Sequence, residues 1–306
     1  MRLVFMGTPD FAKACLETLY TDGFDIAAVY TKIDTPKNRG MKLIPSPVKE
    51  YAQSVGLPVY QPQSFRDEET VQQLRELKPD LLVVVAYGKI LPEDILNTPH
   101  YGSINVHSSI LPKYRGAAPI NWAILNGESV TGVTIMYMAK ELDAGDIILC
   151  RETAIDPDED AQTLTTRLAE LGADALSQAV EQLKSGTAVR MPQDHNAYTY
   201  APMLDRSLSP MDFTRSARQL HDQVRGLIPW PCASMELDGK NVKVYRTAIG
   251  SETTLAAGKI AEAGKQGLAI ACGDRRLLRI LELQAEGGKR MAAADYLRGH
   301  PVQVDV

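Results

Sequence analysis

Residues 103–147 read SINVHSSILPKYRGAAPINWAILNGESVTGVTIMYMAKELDAGDI. The segment 104–106 has the apolar character of a buried strand end. Asn105 and His107 alternate with Ile104 and Val106, so both polar side chains fall on one face of that strand. SSILP then turns the chain, 116–126 has the pattern of a helix, VTGVTIMYM alternates as another strand, and LDAG is the loop that leaves it. Two polar groups at one strand end, met by a carboxylate on the loop after another strand, is how an open α/β sheet assembles a site.

The flanking chain repeats the strand–helix alternation. RLVFM is a first parallel strand, and GTPDF turns into a helix that Asp10 would cap, with Phe11, Cys15, Leu16 and Leu19 on its apolar face. A dinucleotide fingerprint needs G-x-G-x-x-G here. Gly7 stands alone and Pro9 occupies the turn, which disfavours nicotinamide binding. IAAVYT and GLPVYQ are short strands, and DEETVQQLRELK is a helix. DLLVVVAYG does not alternate, as suits a central parallel strand covered on both faces, and AYGKILP turns outward from its end. A long amphipathic helix over 160–184 places Leu164, Leu168, Leu171, Ala175, Ala179 and Leu183 on one side. These elements predict an α/β domain over 1–189: a Rossmann-like, mostly parallel sheet with helices on both faces.

Residues 190–208 carry prolines without periodicity and read as a linker, packed onto the first domain through Tyr198 and Tyr200. Beyond it, TRSARQLHDQVRGL is a short helix, and ASMEL and VKVYRTAI flank Asp238-Gly239, a hairpin turn. GKIAEA, GLAIACG and LLRILELQAE follow with Gly-containing turns, so 209–306 is expected to form a smaller, OB-like β-barrel. Between the second strand and Ser46-Pro47, a helix-start pair, lies a basic loop over 32–45. It carries Lys32, Lys37, Arg39 and Lys42 against one acid, Asp34.

Composition fits a soluble cytoplasmic protein. The chain has 306 residues, 44% of them apolar, and mean hydropathy is −0.17. It has neither a signal-peptide pattern nor a run approaching the ~18 apolar residues of a membrane span. Cys15, Cys150, Cys232 and Cys272 are scattered, as reduced packed thiols are, and the five histidines lack metal-ligand spacing. The net charge of −5 is unevenly spread. Residues 1–205 hold 18 Lys+Arg and 27 Asp+Glu, whereas 206–306 hold 15 and 11, which permits RNA contact by the C-terminal part.

The trio Asn105, His107 and Asp143 admits two readings. In the plain one, Asn105 closes a turn, His107 is a satisfied buried histidine and Asp143 caps a loop. In the chemical one, a carboxamide donates to an oxyanion without itself ionising, an imidazole moves a proton, and a carboxylate orients it. Ser108 and Ser109 lie outside any Gly-x-Ser-x-Gly turn, so the fitting reaction is acyl transfer to a nucleophile that the substrate brings.

INVHSSILPKYRGAAPINWAI followed by ELDAGDI resembles the pattern of the folate-dependent formyltransferases. FMGTPDF, GMKLIPSPVKEYA, VVVAYGKILP and GLIPWPCAS extend the resemblance along the chain. It implies that Asn105, His107 and Asp143 are catalytic and that 10-formyltetrahydrofolate is the formyl donor, without a metal. It implies folate contacts at Lys89 and Leu91, in the AYGKILP turn, and at Ser109, Ile110, Leu111 and Pro112. The implied acceptor is initiator methionyl-tRNA, with Arg39, helped by Lys37 and Lys42, sensing the weak first base pair of the acceptor stem. Asn38 stands where relatives are expected to have glycine, so the loop tip would differ in shape. The second domain would contact tRNA and the protein would act as a monomer. Arg275, Arg276, Arg279, Lys289 and Arg290 are candidate phosphate contacts, although surface solubility alone would explain most of them. The alternative is a UDP-amino-sugar formyltransferase with the same trio, against which the basic loop and RGAAPI count. A formyltetrahydrofolate hydrolase would use the same site on water. A non-catalytic RNA-binding module would leave the trio unexplained.

Overall fold

The computed structural model describes residues 1–37 and 42–305. Two compact units emerge. The first comprises Met1–Gly116, Gly132–Thr153 and Thr165–Tyr200, and the second Ala117–Thr131, Ala154–Leu164 and Ala201–Val306.

The first unit is built on β1 (Arg2–Gly7), β2 (Asp25–Tyr30), β5 (Val59–Tyr60), β6 (Leu81–Val85), β7 (Ser103–His107), β9 (Val130–Tyr137) and β10 (Ile147–Ala154). The shorter β3 (Thr35–Lys37), β4 (Lys42–Ile44) and β8 (Arg115–Gly116) lie outside that sheet, whose order is β10-β9-β7-β6-β1-β2-β5. Pairing is parallel from β5 through β7, and β9 joins antiparallel. All five residues of β6, the middle strand, are buried, as its run of branched apolar residues requires. Helix α1 (Asp10–Thr21) buries Phe11, Cys15, Leu16 and Leu19. Its N-cap is Pro9, so the expected cap at Asp10 is not formed. Asp10 is already the first helical residue, where its charge meets the positive end of the helix dipole instead. Ser46 does cap α2 (Pro47–Ser54), accepting from the Lys49 amide at 3.1 Å.

The basic loop over 32–45 departs from the sequence reading. Its two limbs pair as β3 and β4, with Thr35 opposite Ile44 and Lys37 opposite Lys42. The acid at its root is engaged: Lys49 Nζ lies 2.7 Å from Asp34 Oδ2, and Gln61 bridges Asp34 and the Lys32 carbonyl. The Lys49 and Gln61 hydrogen bonds hold the Asp34 carboxyl below its ordinary range. Arg39 lies outside the described residues, as do the side chains of Lys37 and Lys42.

Along the chain α3 (Glu68–Glu76) precedes β6, α4 (Glu93–Leu96) precedes β7, and the long helix α6 (Ala161–Ser185) follows β10. In the second unit, α5 (Pro119–Leu125) and α7 (Ala217–Gly226) accompany a six-stranded antiparallel sheet. After β11 (Tyr200–Ala201) its strands are β12 (Ala233–Leu237), β13 (Lys240–Glu252), β14 (Ile260–Gly264), β15 (Gly267–Ala271), β16 (Arg276–Ala285) and β17 (Met291–Ala292). The ladder is an open path, β12-β13-β16-β15-β14, with β17 on β16, so it does not itself draw the expected closure into a barrel. Asp238 and Gly239 form the β12–β13 turn with φ of 49° and 70°, the two left-handed positions of a type I′ hairpin.

Helix α7 buries polar residues that its sequence would place on a wet face. Arg225 Nε holds Asp222 Oδ1 at 2.8 Å, and its Nη1 donates to the carbonyls of Asp156 and Glu159. His221 Nε2–H donates to the Pro157 carbonyl at 3.1 Å, which leaves Nδ1 to accept from the Thr247 hydroxyl at 2.8 Å. Burial pushes the His221 imidazole below its ordinary value of 6.5. Arg225 and Arg218 add to that, against the pull of the Pro157 carbonyl and Asp158. The unfolded chain therefore takes up this proton first. Stability from this group is complete above pH 6.5 and declines as pH falls below it. A His221→Gln variant should show a flatter acid limb in denaturant titrations between pH 7 and 5. An unchanged limb would count against this linkage.

Candidate active site

Asn105 and His107 sit on β7 between two partners: Val84 of β6 and Met136 of β9 flank Asn105, and Thr134 of β9 lies opposite His107. His107 is buried, and its ring is fixed by the turn that follows it. Tyr114 has φ of 62°, and its carbonyl accepts from His107 Nε2–H at 2.8 Å. A carbonyl can only accept, so the neutral ring carries its lone pair on Nδ1. That atom lies 3.6 Å from Asp143 Oδ2. A proton arriving at Nδ1 thus completes a pair with the carboxylate, and the site has a built-in place to hold one. Among the described residues no group hydrogen-bonds the half-buried Asn105 carboxamide, which keeps its two N–H donors for a ligand.

The turn itself is laced together. Ser109 Oγ donates to the Lys113 carbonyl, Thr134 Oγ1 donates to the Ser109 carbonyl, and the Leu111 amide donates back to Thr134 Oγ1. The Ser109 side chain is therefore spent on its own backbone, while Ile110 and Pro112 are partly exposed and Leu111 is buried. The other expected folate residues follow β6, next to β7. Ala86 and Gly88 take left-handed φ of 44° and 73°, Lys89 Nζ donates to the carbonyls of Pro62 and Gln63, and Leu91 is buried. Burial, with Lys32 nearby, lowers the Lys89 ammonium from its ordinary value. Lys89 and Ser109 thus both spend their side-chain donors on protein carbonyls.

Asp143 also has φ of 52°, and its Oδ2 accepts from the Gly116 amide at 2.9 Å. The loop is pressed against β9: a Cβ on Gly145 would stand 1.8 Å from the Tyr137 carbonyl oxygen, so only glycine fits. A brace invisible to the sequence reading holds the other side. Gln193 Nε2 donates to the carbonyls of Asp143 and Gly145 at 2.9 and 2.7 Å. Its Oε1 accepts from Arg115 Nε and Nη2 at 3.1 and 2.6 Å. The guanidinium only donates and the carbonyls only accept, so the amide has one possible orientation. Gln193 lies in the aperiodic stretch read as a linker, where no pattern of spacing marks a buried amide. Among the described residues no cluster of His, Cys, Asp and Glu is arranged to hold a metal, and no helix is long and apolar enough to cross a membrane.

Residues 1–180 match the formyl transferase family, and 204–301 match the C-terminal domain of formyl transferases. The chain is 48% identical over 299 residues to the methionyl-tRNA formyltransferase of Geobacter metallireducens, covering 98% of this chain and 96% of that protein. Among solved structures, it resembles an N-formyltransferase from Helicobacter canadensis in complex with folinic acid and dTDP-3-aminofucose. The TM-score is 0.70 at 19% identity, over 91% of this chain and 98% of that one. It also resembles HypX from Aquifex aeolicus in complex with tetrahydrofolic acid, with a TM-score of 0.67 at 17% identity, over 100% of this chain and 48% of that one. At these identities the two structures speak to the fold.

Proposed function

This chain belongs to the formyl transferase family, and we propose that it moves the formyl group of 10-formyltetrahydrofolate to the α-amino group of initiator methionyl-tRNA. The observation that carries the chemistry is the convergence of His107 Nδ1 on the Asp143 carboxylate, with Asn105 two residues away on the same strand face. The near full-length likeness to a methionyl-tRNA formyltransferase supports the acceptor. In the turns after β6 and β7, Lys89 donates to the Pro62 and Gln63 carbonyls and Ser109 to the Lys113 carbonyl, which fits a pterin held through peptide groups.

Asn105 donates to the formyl oxygen as the substrate amine adds to the formyl carbon and negative charge gathers there. Asp143 orients His107 and, through water, passes the proton from the amine to the departing folate nitrogen. An amine must be neutral to attack, and with a reference pKa near ~8 part of it is neutral at physiological pH. The same reading makes the enzyme a cytoplasmic monomer that needs no metal. It assigns Lys89, Leu91 and the 109–112 turn to the folate and the basic hairpin to the acceptor stem.

The test is to supply 10-formyltetrahydrofolate with charged initiator or elongator tRNA and look for formyl-methionine. Release of formate without acceptor, or formylation of a UDP-amino sugar in place of tRNA, would reassign the enzyme. In the same assay Arg39→Ala should raise KM for tRNA about tenfold, the loss of one charge-assisted contact, and leave KM for the folate unchanged. Wild-type KM at several salt concentrations would remove the hairpin from this reading.

A further inference from the structure

Beside the Asp143 loop is a cavity of about 300 Å³ lined by Arg115, Glu141, Leu142, His195, Tyr198 and Tyr200. It has two properties that Asn105, His107 and Asp143 do not use. The first is an uncompensated cation. Arg115 is only 6% exposed, yet among the described residues no carboxylate pairs with it. Its partners are the neutral Gln193 amide and the face of Tyr198, 5.1 Å from the guanidinium carbon. A buried guanidinium without a counter-ion is costly, and with Nε and Nη2 turned to Gln193 its Nη1 donors are left for an anion such as a phosphate. The second is aromatic surface left open. Tyr198 and Tyr200 are 54% and 58% exposed, and Leu142 beside them is exposed too. Since Arg115 engages Tyr198 from one side, an exposed face of that ring is available for a planar group.

The cavity is also tied to the reaction centre by the chain. Leu142 adjoins Asp143, and Arg115 adjoins Gly116, whose amide holds the Asp143 carboxylate at 2.9 Å. A ligand here therefore lies against residues that adjoin the Asp143 carboxylate and the amide that holds it.

We propose that this cavity seats the 3′-terminal nucleotide of the acceptor strand, with its base stacked on Tyr198 and Tyr200 and its 5′-phosphate paired with Arg115. The proposal rests on the reading of the acceptor as an aminoacyl-tRNA. Stacking on an aromatic face tolerates any base, so the site measures where the strand ends and leaves its sequence unread. Glu141, exposed at the rim, is placed to accept from a ribose hydroxyl or an exocyclic amine.

The experiment compares kcat/KM for formyl transfer to methionine methyl ester, 3′-O-methionyl-adenosine and 3′-O-methionyl-adenosine 5′-phosphate. For the unaltered protein each step up this series should raise kcat/KM about tenfold, the size of one stacking or charge-assisted contact. The double variant Tyr198→Ala/Tyr200→Ala should abolish the nucleoside step. Arg115→Gln should abolish the phosphate step, and Arg115→Lys should retain part of it with a steeper salt dependence. A flat or absent response to the series in a protein that formylates methionyl-tRNA overturns the subsite and leaves the activity standing. So does a series unchanged by the variants. Failure to formylate methionyl-tRNA at all sinks the activity reading itself.

Discussion

Asn105→Ala is expected to lower kcat by about 10²–10³-fold, roughly 3–4 kcal/mol in the barrier, with KM for both substrates close to that of the unaltered protein. The expectation follows from where the carboxamide sits. It is anchored in the middle of the sheet by strand neighbours on both sides, so it cannot relax toward solvent, and its donors stand idle in the free protein. Such a donor contributes most when charge develops in front of it, so its removal raises the transition state more than the ground state. Asn105→Asp is the sharper control. It keeps size and shape but replaces donors with a negative charge facing the nascent oxyanion, and it should be at least as impaired as the alanine variant. Single-turnover rates with pre-bound substrates provide the measurement. Near-normal turnover by a folded Asn105→Ala protein would remove the proposed mechanism.

Gln193→Ala should cost about tenfold to a hundredfold in kcat and about 2–4 kcal/mol in stability, although the residue touches no substrate in the proposed mechanism. Truncation strands three groups at once: the buried Arg115 guanidinium, the buried Gly145 carbonyl and the partly buried Asp143 carbonyl. The stability loss is the cost of leaving them unpaired. The activity loss comes from letting a left-handed Asp143 drift from His107, where a displacement of about 1 Å is enough to matter. Gln193→Glu separates the two effects. A carboxylate still satisfies Arg115, but it turns two donors into acceptors facing two carbonyls. Stability should recover in part while kcat stays low. Equal recovery of both, in thermal melts and turnover measured side by side, would show the amide to be packing alone.

What the sequence reveals, and what it hides, divides along local and non-local causes. The run of β6, the alternation of Asn105 and His107 on β7, the apolar stripe of α1 and the Asp238-Gly239 turn are all written in spacing, and the structure has each. The β3–β4 hairpin reads as plain loop, because its strands are three residues each and Pro36 interrupts any alternation. The cap of α1 falls one position before Asp10, since a proline can itself supply the extended residue ahead of a helix. The burial of His221, Asp222, Gln223 and Arg225 escapes because it depends on carbonyls far away in sequence, at 156–159 and 208–210. Gln193 escapes for the same reason: its importance is set by partners about 50 and 78 residues away.

Because the second unit takes in Ala117–Thr131 and Ala154–Leu164 as well as the C-terminal stretch, no single cut yields it intact. A chain shortened to end near residue 200 keeps α5 and the 154–164 segment but discards the α7 groups that bond them, among them the Asn121–Gly226 and Arg225–Asp156 links. Grafting a foreign C-terminal module onto this scaffold would therefore require exchanging two internal inserts together with the tail, and simple truncations would report misfolding where the aim was to measure recognition.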